Sequence, residues 1–216
     1  IQAIGEILKQ IKKSKFPFSY EIIIVDDGSS DGTTEFLKRI KDNSIKTVFK
    51  QKNSGKGSAI IKGLDYTKGN YIIIQDADLE YDPNDIKKMI IPIFENESEV
   101  VYGSRFVNSS KRRVLYFWNY VANKFLTFLI NIFTNMNFSD TQTCYKLIKK
   151  EIFESLKLTE KGFGIESEIT MKISKLNLNV YEVGISYSGR KFEEGKKIRF
   201  KDGLRALFVI LKFIFK

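Results

Sequence analysis

The sequence contains no histidine and only one cysteine, Cys144. A single cysteine excludes an intrachain disulfide, and the chain shows no charged and then apolar leader, so we expect a reducing, cytoplasmic compartment. Because histidine is absent, a general base in any reaction would have to be a carboxylate or a less suitable group. No apolar run reaches the about 20 residues that a membrane-spanning helix requires.

Internal repeats and low-complexity linkers are also absent. The 216 residues, 43% of them hydrophobic, suffice for one sizeable core, and the charged fraction is ordinary for a globular protein. We therefore predict a single domain over residues 1–216. The sequence opens IQAIGEILKQ without an initiator methionine, which suggests a trimmed N-terminus.

Positive charge is concentrated in the second half of the chain, and the formal net charge is +10. Residues 1–104 hold 15 lysines and arginines against 16 acidic residues, whereas residues 105–216 hold 21 against 10. A basic half suits nucleic acid, an anionic membrane or a phosphorylated substrate, and equally a well-solvated lysine-rich surface. Charge alone does not choose among these partners.

Apolar strands alternate with amphipathic helices through the first half. The patterns predict strands at 21–25, 46–50, 71–75 and 100–104, and helices at about 2–13, 33–40 and 58–67 and after Pro83. Strands of uninterrupted β-branched residues that alternate with helices indicate a mostly parallel sheet covered on both faces, an α/β fold.

Acidic residues follow two of these strands. In YIIIQDADLEYDP, at 71–83, Asp76, Asp78 and Glu80 occupy every second position after the apolar run. Side chains at i and i+2 of an extended chain point the same way, so these carboxylates are expected to face one point. Strand ends of this kind open onto the ligand crevice, which favours a ligand site over a solvated turn. Hard oxygen ligands favour Mg²⁺ or Mn²⁺, and Mg²⁺ is usually held by one or two carboxylates plus phosphates and water.

The other acidic cluster lies in VDDGSSDGTTEF, at 25–36. A turn at Asp-Gly and a cap for the following helix explain part of this pattern. Asp26 and Asp27 remain, and carboxylates accept hydrogen bonds from base N–H groups or ribose hydroxyls while repelling phosphate. The sequence thus predicts nucleoside at this cluster and diphosphate, through a metal, at the other. The loop NSGKG adds Lys56 between two glycines that allow a close approach to the same ligand.

Seven short segments, taken together, point to one family. They are, in this order, VDDGSSDGT, NSGKGSA, DADLEYDP, GSRF (103–106), DTQTCYK (140–146), FGIESEIT (163–170) and GRKFEEGKKIRFKDG (189–203). The set resembles bacterial members of glycosyltransferase family two, in the branch of the polyprenyl-phosphate (dolichyl-phosphate) mannosyl- and glucosyltransferases. The resemblance implies a GT-A type fold, a Rossmann-like α/β sandwich. It also implies a first strand with a V-P-x-Y-N-E-like motif, which this sequence lacks, so we expect that strand before residue 1.

The resemblance implies roles for the acidic residues. Asp27, with Asp26 beside it, matches the acid that contacts the nucleoside of the donor. Asp76, Ala77 and Asp78 match the D-x-D site for the metal and the donor diphosphate. Asp78 is therefore expected to act in the reaction itself.

The resemblance also places basic residues and a third carboxylate. Glu80 stands where relatives carry a third metal-associated residue, and Arg105 matches a basic residue at the reaction centre. Arg190, Lys196 and Lys197 fall in a segment that closes over the donor diphosphate in relatives, although a solvated basic loop is an alternative. Basic groups aimed at a departing diphosphate are a standard electrostatic device, which favours the functional interpretation.

A lipid monophosphate as acceptor would make a general base unnecessary, since its oxygen is already ionised, with a second pKa of about 6. Direct displacement at the anomeric carbon would then need alignment, a metal on the leaving diphosphate and cations for the acceptor, and it would invert the configuration. Glu166 and Glu168 are the candidates if a base exists. Their alternative is a plain structural one, as acidic residues favoured at a helix N-terminus.

Residues 112–138 are rich in aromatic and aliphatic side chains, but Lys124 and several asparagines interrupt them. This pattern is typical of a helix that lies on a bilayer, with aromatic rings in the headgroup zone and basic residues on anionic lipid. A buried pair of core helices explains it about equally well. The aromatic and basic residues concerned are Tyr116, Trp118, Tyr120, Lys111, Arg112 and Arg113.

A second membrane-interfacial helix is predicted at residues 203–216. It places Arg205, Lys212 and Lys216 on one face, against an apolar opposite face. The two segments together predict peripheral attachment to the cytoplasmic face of an anionic membrane.

Three functions of different class compete. The leading one is a metal-dependent, inverting transfer of a hexose from a UDP- or GDP-sugar to a polyprenyl phosphate. The second is a GT-A transferase to a saccharide hydroxyl, or a nucleotidyltransferase of similar fold, and a hydroxyl acceptor would need a base. The third, a basic module that binds nucleic acid, is disfavoured because a cleft lined with carboxylates repels phosphate unless a metal intervenes. Homo-oligomerisation is left open.

Overall fold

The computed structural model describes residues 2–107, 113–114, 116–191, 193–196 and 200–214. Its strands are β1 (Ile22–Asp26), β2 (Ile45–Phe49), β3 (Tyr71–Ile73), β4 (Val100–Ser104), β5 (Lys146–Lys149) and β6 (Val180–Gly184). Its helices are α1 (Gln2–Lys13), α2 (Thr33–Lys38), α3 (Lys56–Leu64), α4 (Ile86–Met89), α5 (Ile91–Phe94), α6 (Phe117–Thr134), α7 (Lys150–Ser155), α8 (Ile165–Ile173) and α9 (Phe200–Ile214). The α/β alternation predicted for the first half is confirmed, with element ends shifted by a few residues.

The strands form two hydrogen-bonded groups. β1 and β2 pair in parallel, and a second sheet has the order β3-β5-β4-β6. β4 pairs with β6 in parallel, but β5 runs antiparallel to both of its neighbours. The described sheets are therefore mixed, and the expectation of a mostly parallel sheet is corrected. No sequence pattern predicted β5, because Lys146–Lys149 is a short segment with only two apolar residues between lysines.

The main core packs around β4, whose five residues are all buried. Apolar side chains of β5 and α8 close over it, including Ile148 and Ile169, which have no exposed surface. The first three residues of β4, Val100, Val101 and Tyr102, are apolar and have no exposed surface, as a strand covered on both faces requires. This buried centre carries the loops in which the acidic and basic residues lie.

A smaller core joins α6 and α9 to α8. Leu126 and Ile130 of α6 pack with Val209 and Ile210 of α9. Each helix buries only this one face, and a row of large apolar side chains on each remains exposed. The exposed residues are Phe117, Trp118, Phe125, Phe128, Ile132 and Phe133 on α6 and Phe200, Leu204, Phe208 and Leu211 on α9.

One face of α6 is thus a core face, and the membrane-interfacial interpretation of its exposed face stays a prediction. None of the described helices is long and apolar enough to cross a membrane. On α9, Arg205 is exposed and forms an ion pair with Glu160, 2.7 Å from Nη2 to Oε2. Lys111, Arg112 and Lys216 lie outside the described residues.

Candidate active site

Three carboxylates after β3 form one group with two basic partners. This acidic cluster consists of Asp76, Asp78 and Glu80. Arg190 contacts two of them, with Nη2 2.8 Å from Asp78 Oδ2 and Nε 3.0 Å from Glu80 Oε1. Asp76 contacts Lys56 instead, whose Nζ lies 2.8 Å from Asp76 Oδ2. The structure thus brings together five residues that the sequence singles out in three separate segments.

The chain between Asp78 and Glu80 is not extended. Leu79 adopts a positive φ of 63°, a conformation that is strained for a bulky residue and that clusters at functional sites. Asp78 Oδ1 also accepts a hydrogen bond from the Glu80 backbone N–H at 3.1 Å. The convergence of Asp78 and Glu80 therefore comes from this turn, and the strand-like alternation expected from the sequence is corrected.

The crowding of negative charge affects the pKa of Asp78. Burial, followed by the nearby charges of Asp76 and Glu80, raises the pKa of Asp78 to about 6, and the Arg190 guanidinium offsets this rise only in part. The cluster can therefore accommodate further positive charge.

Lys56 links the acidic cluster to a buried ion pair. Its Nζ lies 3.0 Å from Glu166 Oε1, and the other Glu166 oxygen accepts from Lys146, a side chain with no exposed surface. Lys146 also donates to the Thr143 carbonyl. Glu166 is thus committed to two lysines and is poorly placed to remove a proton from an acceptor.

The second candidate base, Glu168, is committed as well. Its carboxylate accepts from the backbone N–H groups of Thr159 and Glu160, at 3.0 and 2.6 Å, and pairs with Lys172 at 2.7 Å. These contacts favour the structural interpretation of both glutamates, which lie in the first turn of α8.

Asp26 and Asp27 hold the loops at the ends of β1 and β2. Asp26 accepts from the Ser29 backbone N–H at 3.0 Å and from the Thr34 hydroxyl. Asp27 Oδ2 accepts from the Gly55 backbone N–H at 2.7 Å, and Asp27 Oδ1 from Lys50 Nζ at 2.5 Å. Both carboxylates thus have structural roles, and their contact with a nucleoside stays a prediction.

The glycines of the NSGKG loop make a close approach, though to the protein's own backbone. A Cβ atom on Gly57 would lie 2.1 Å from the Glu160 carbonyl oxygen, and one on Gly55 would lie 2.5 Å from the Lys161 carbonyl oxygen. The two glycines therefore let the loop pack against residues 160–161. This packing fixes the position of Lys56 beside the acidic cluster.

Arg105 is buried and stabilised by an acid to which sequence reasoning assigned no role. Its Nε and Nη2 donate to Asp140 Oδ2 and Oδ1 at 2.6 and 2.8 Å, and its guanidinium carbon lies 5.1 Å from the Tyr187 ring centroid. Burial raises the pKa of Asp140, but Arg105 outweighs this effect and the pKa lies below its usual value. Contact of Arg105 with an acceptor stays a prediction.

Lys196 lies near the same basic residues. Burial lowers its pKa, and the charges of Arg105 and Arg190 lower it further, against the opposite effect of Glu80. Three cations thus gather beside the acidic cluster, an arrangement suited to an anion. Lys197 lies outside the described residues.

Sequence reasoning missed Asp140, Tyr187 and Lys146. Asp140 and Lys146 lie in DTQTCYK, but a lone acid or lysine gives no sign that it will be buried. Tyr187 donates its hydroxyl to Glu80 Oε2 at 2.9 Å. A contact over 107 positions leaves no local pattern in one sequence.

The acidic cluster fits a divalent cation, because a positively charged side chain already contacts two of its carboxylates. The Arg190 guanidinium is a stand-in cation, and its contacts show that Asp78 and Glu80 can share one positive partner. No group of three or more His, Cys, Asp or Glu side chains in the described part of the chain is arranged to hold a metal unaided. Two carboxylates plus phosphate oxygens are a usual set for Mg²⁺. The metal role of Asp76, Asp78 and Glu80 stays a prediction.

Comparison with known proteins decides the family. The family model for glycosyl transferase family 2 matches residues 1–157. The chain belongs to glycosyl transferase family 2. The resemblance to this family seen in the sequence is thus confirmed.

Two relatives are similar to nearly the whole of this chain. The dolichol-phosphate mannosyltransferase of Pyrococcus furiosus is 29% identical over 213 residues, which cover 96% of this chain and 60% of the relative. The glycosyltransferase AglJ of Haloferax volcanii is 26% identical over 190 residues, covering 88% of this chain and 60% of the relative. The chain therefore spans about 60% of the length of these relatives.

Solved structures confirm the GT-A type fold. Glucosyl-3-phosphoglycerate synthase from Mycobacterium tuberculosis, in complex with Mn²⁺, UDP-glucose and phosphoglyceric acid, has a TM-score of 0.71 at 18% identity, covering 98% of this chain and 75% of that one. Mannosyl-3-phosphoglycerate synthase from Rubrobacter xylanophilus has a TM-score of 0.71 at 18% identity, covering 98% of this chain and 68% of that one.

Proposed function

We propose that this chain is the catalytic domain of a metal-dependent, inverting glycosyltransferase that moves a hexose from a UDP- or GDP-linked donor to a polyprenyl phosphate. The observation that carries the proposal is that three basic residues lie beside the acidic cluster, namely Arg190, Lys196 and Arg105. Carboxylates suit a metal on the donor diphosphate, and adjacent cations suit two phosphorylated substrates. The name of the Pyrococcus relative supports a lipid phosphate as acceptor.

The donor would lie between the two acidic clusters. Mg²⁺ or Mn²⁺, held by Asp78 with Asp76 and Glu80 beside it, would neutralise charge on the departing diphosphate. Arg190 and Lys196 would help to stabilise the same charge. Asp26, Asp27, Lys56, Ala77 and Lys197 complete the proposed donor-binding set.

The acceptor would react without a protein base. An ionised phosphate oxygen attacks the anomeric carbon as the bond to the diphosphate breaks, so the configuration is inverted and no proton needs to be removed. This agrees with the engagement of Glu166 and Glu168 by lysines and backbone N–H groups. The mechanism depends on alignment and electrostatics.

A soluble acceptor is the second candidate. The structural neighbours are named for synthesis of glucosyl- and mannosyl-3-phosphoglycerate, and the three cations would also suit a small phosphorylated acid. Such an acceptor gives no reason for the exposed aromatic residues of α6 and α9.

We expect the transfer rate to follow the ionisation of the lipid phosphate. With a second pKa of about 6, the rate should rise about tenfold between pH 5 and pH 7, measured with a polyprenyl phosphate in liposomes. A phosphonate acceptor of different pKa should shift the curve by the difference in pKa. A curve that keeps its midpoint with both acceptors would report the ionisation of a protein group and not of the acceptor, and would contradict this prediction.

We also propose that the exposed faces of α6 and α9 attach the protein to the cytoplasmic face of an anionic membrane. Trp118 is 77% exposed and Phe200 is 83% exposed, and aromatic side chains favour the headgroup zone. The surplus of positive charge in this half of the chain would add attraction to anionic lipid.

The double variant Phe128→Ser/Phe208→Ser should bind anionic liposomes more weakly in co-sedimentation. The affinity should fall about tenfold for each residue replaced, because each ring loses its burial in lipid. Binding should also weaken as salt screens the surface charge. Phe94→Ser on α5 is the matched control, since Phe94 and Phe128 are both 59% exposed, and it should bind like the unaltered protein. Equal loss in the control, or sedimentation that does not depend on liposomes, would contradict membrane attachment by this face.

A further inference from the structure

Arg190 is attached to the acidic cluster through both its side chain and its backbone. Its Nη2 contacts Asp78 at 2.8 Å, and its Nε and backbone N–H both donate to Glu80 Oε1, at 3.0 and 3.1 Å. The guanidinium therefore bridges two of the carboxylates predicted to hold a metal. Its position follows from a defined set of contacts and not from a long side chain on an open surface.

The segment before Arg190 is anchored to the same loop. The Ser188 backbone N–H donates to the Glu80 carbonyl at 2.8 Å, and the Tyr187 hydroxyl donates to Glu80 Oε2 at 2.9 Å. Tyr187 also forms a β-bridge with Tyr81. These contacts hold the backbone of residues 187–190 in place. The end of the Arg190 side chain can therefore change its partner without moving this segment.

A guanidinium and a divalent cation cannot both occupy this position. The oxygens that would bind a metal at about 2.0–2.2 Å already contact Arg190 nitrogens, and two cations so close would repel each other. A metal that arrives alone must therefore displace Arg190 from Asp78 and leave the guanidinium without an acid. A metal that arrives with a diphosphate provides the guanidinium with a new bidentate partner.

We propose that Arg190 is a built-in counter-cation of the metal site, which leaves Asp78 when metal and donor diphosphate bind together and then contacts that diphosphate. The inference rests on the metal-dependent donor binding proposed above. It makes metal and nucleotide bind cooperatively, and by linkage each strengthens the other by the same factor.

The test measures Mn²⁺ binding by electron paramagnetic resonance of the free ion, with no nucleotide, with UDP and with GDP. The unaltered protein should bind Mn²⁺ weakly alone and more tightly with the matching nucleotide. Arg190→Gln should bind Mn²⁺ alone about tenfold more tightly, because a competing charge is removed. The gain from the nucleotide should shrink by about the same factor.

Two further variants separate charge from structure. Arg190→Lys keeps the positive charge and should bind Mn²⁺ alone as weakly as the unaltered protein. Arg39→Gln removes one charge at the exposed C-terminal end of α2 and should change neither affinity. Equal tightening in Arg39→Gln would assign the effect to net charge and overturn the inference.

The remaining outcomes distinguish this inference from the proposed function. If the unaltered protein binds Mn²⁺ cooperatively with a nucleotide but Arg190→Gln does not bind Mn²⁺ alone more tightly, the role of Arg190 is wrong and metal-dependent donor binding stands. If Mn²⁺ binds to none of the variants with either nucleotide, both the inference and the metal-dependent function are wrong.

Discussion

Asp78→Asn is expected to lower hexose transfer at least about 100-fold, since a neutral amide is a much weaker ligand for a divalent cation than a carboxylate. The measurement is transfer to lipid phosphate in saturating Mn²⁺, followed by titration with a chelator. Activity of the unaltered protein that survives excess chelator would contradict metal dependence.

The same substitution should not destabilise the fold. The pKa of Asp78 is raised from its ordinary value of 3.8 to about 6, so its ionisation lowers the free energy of unfolding as pH rises through that window. Asparagine removes this charge, and the free energy of unfolding at pH 7 without metal should be equal or higher. Loss of activity together with unchanged or increased stability is typical of a residue kept for function.

Asp65→Asn provides the matched control for this prediction. Asp65 is an acid at the end of α3 that pairs with Lys62 on the surface, 2.9 Å from Oδ2 to Nζ. Its replacement should leave transfer within about twofold of the unaltered protein, because an exposed ion pair contributes little. A comparable loss in both variants would mean that the assay responds to net charge and not to the metal site.

The sequence predicted which residues gather but not how. Asp76, Asp78 and Glu80 were expected to share one face through strand alternation, whereas the positive φ of Leu79 directs two of them to Arg190. A residue pattern gives the spacing of side chains, and it does not give the sign of φ for a leucine. The strain at Leu79 is overcome by contacts with Arg190, which lies in a distant segment of the chain.

Contacts between distant segments account for the other differences. The glycines of NSGKG were expected to approach a donor, and they approach the backbone of residues 160–161 instead. The sequence of α6 was compatible with a membrane-facing or a core-facing helix. An apolar pattern shows which side chains avoid water, but it does not show whether lipid or protein covers them. The strongest predictions were those in which an uninterrupted β-branched run fixed an element by itself, such as the strand predicted at 21–25 and found as β1.

Removing one partner of the buried Arg105–Asp140 pair is expected to cause the largest loss of stability. Asp140 has no exposed surface and Arg105 is 7% exposed. Asp140→Ala leaves the guanidinium buried without its acid, which should cost about 3–5 kcal/mol in the free energy of unfolding. Chemical denaturation at pH 7 measures this loss, and a change below about 1 kcal/mol would contradict the contacts described here.

The double variant Arg105→Met/Asp140→Leu then separates structure from catalysis at this position. Two apolar side chains of similar volume remove both buried charges at once, so most of the lost stability should return. Transfer should nevertheless stay at least about 100-fold below that of the unaltered protein, because an apolar methionine cannot stabilise a phosphorylated substrate. Mn²⁺ and nucleotide binding should change little, since Arg190 and the carboxylates of the metal cluster are untouched. If the double variant folds and transfers at the normal rate, Arg105 only stabilises the core beside the site, and the cations that meet the acceptor must lie elsewhere.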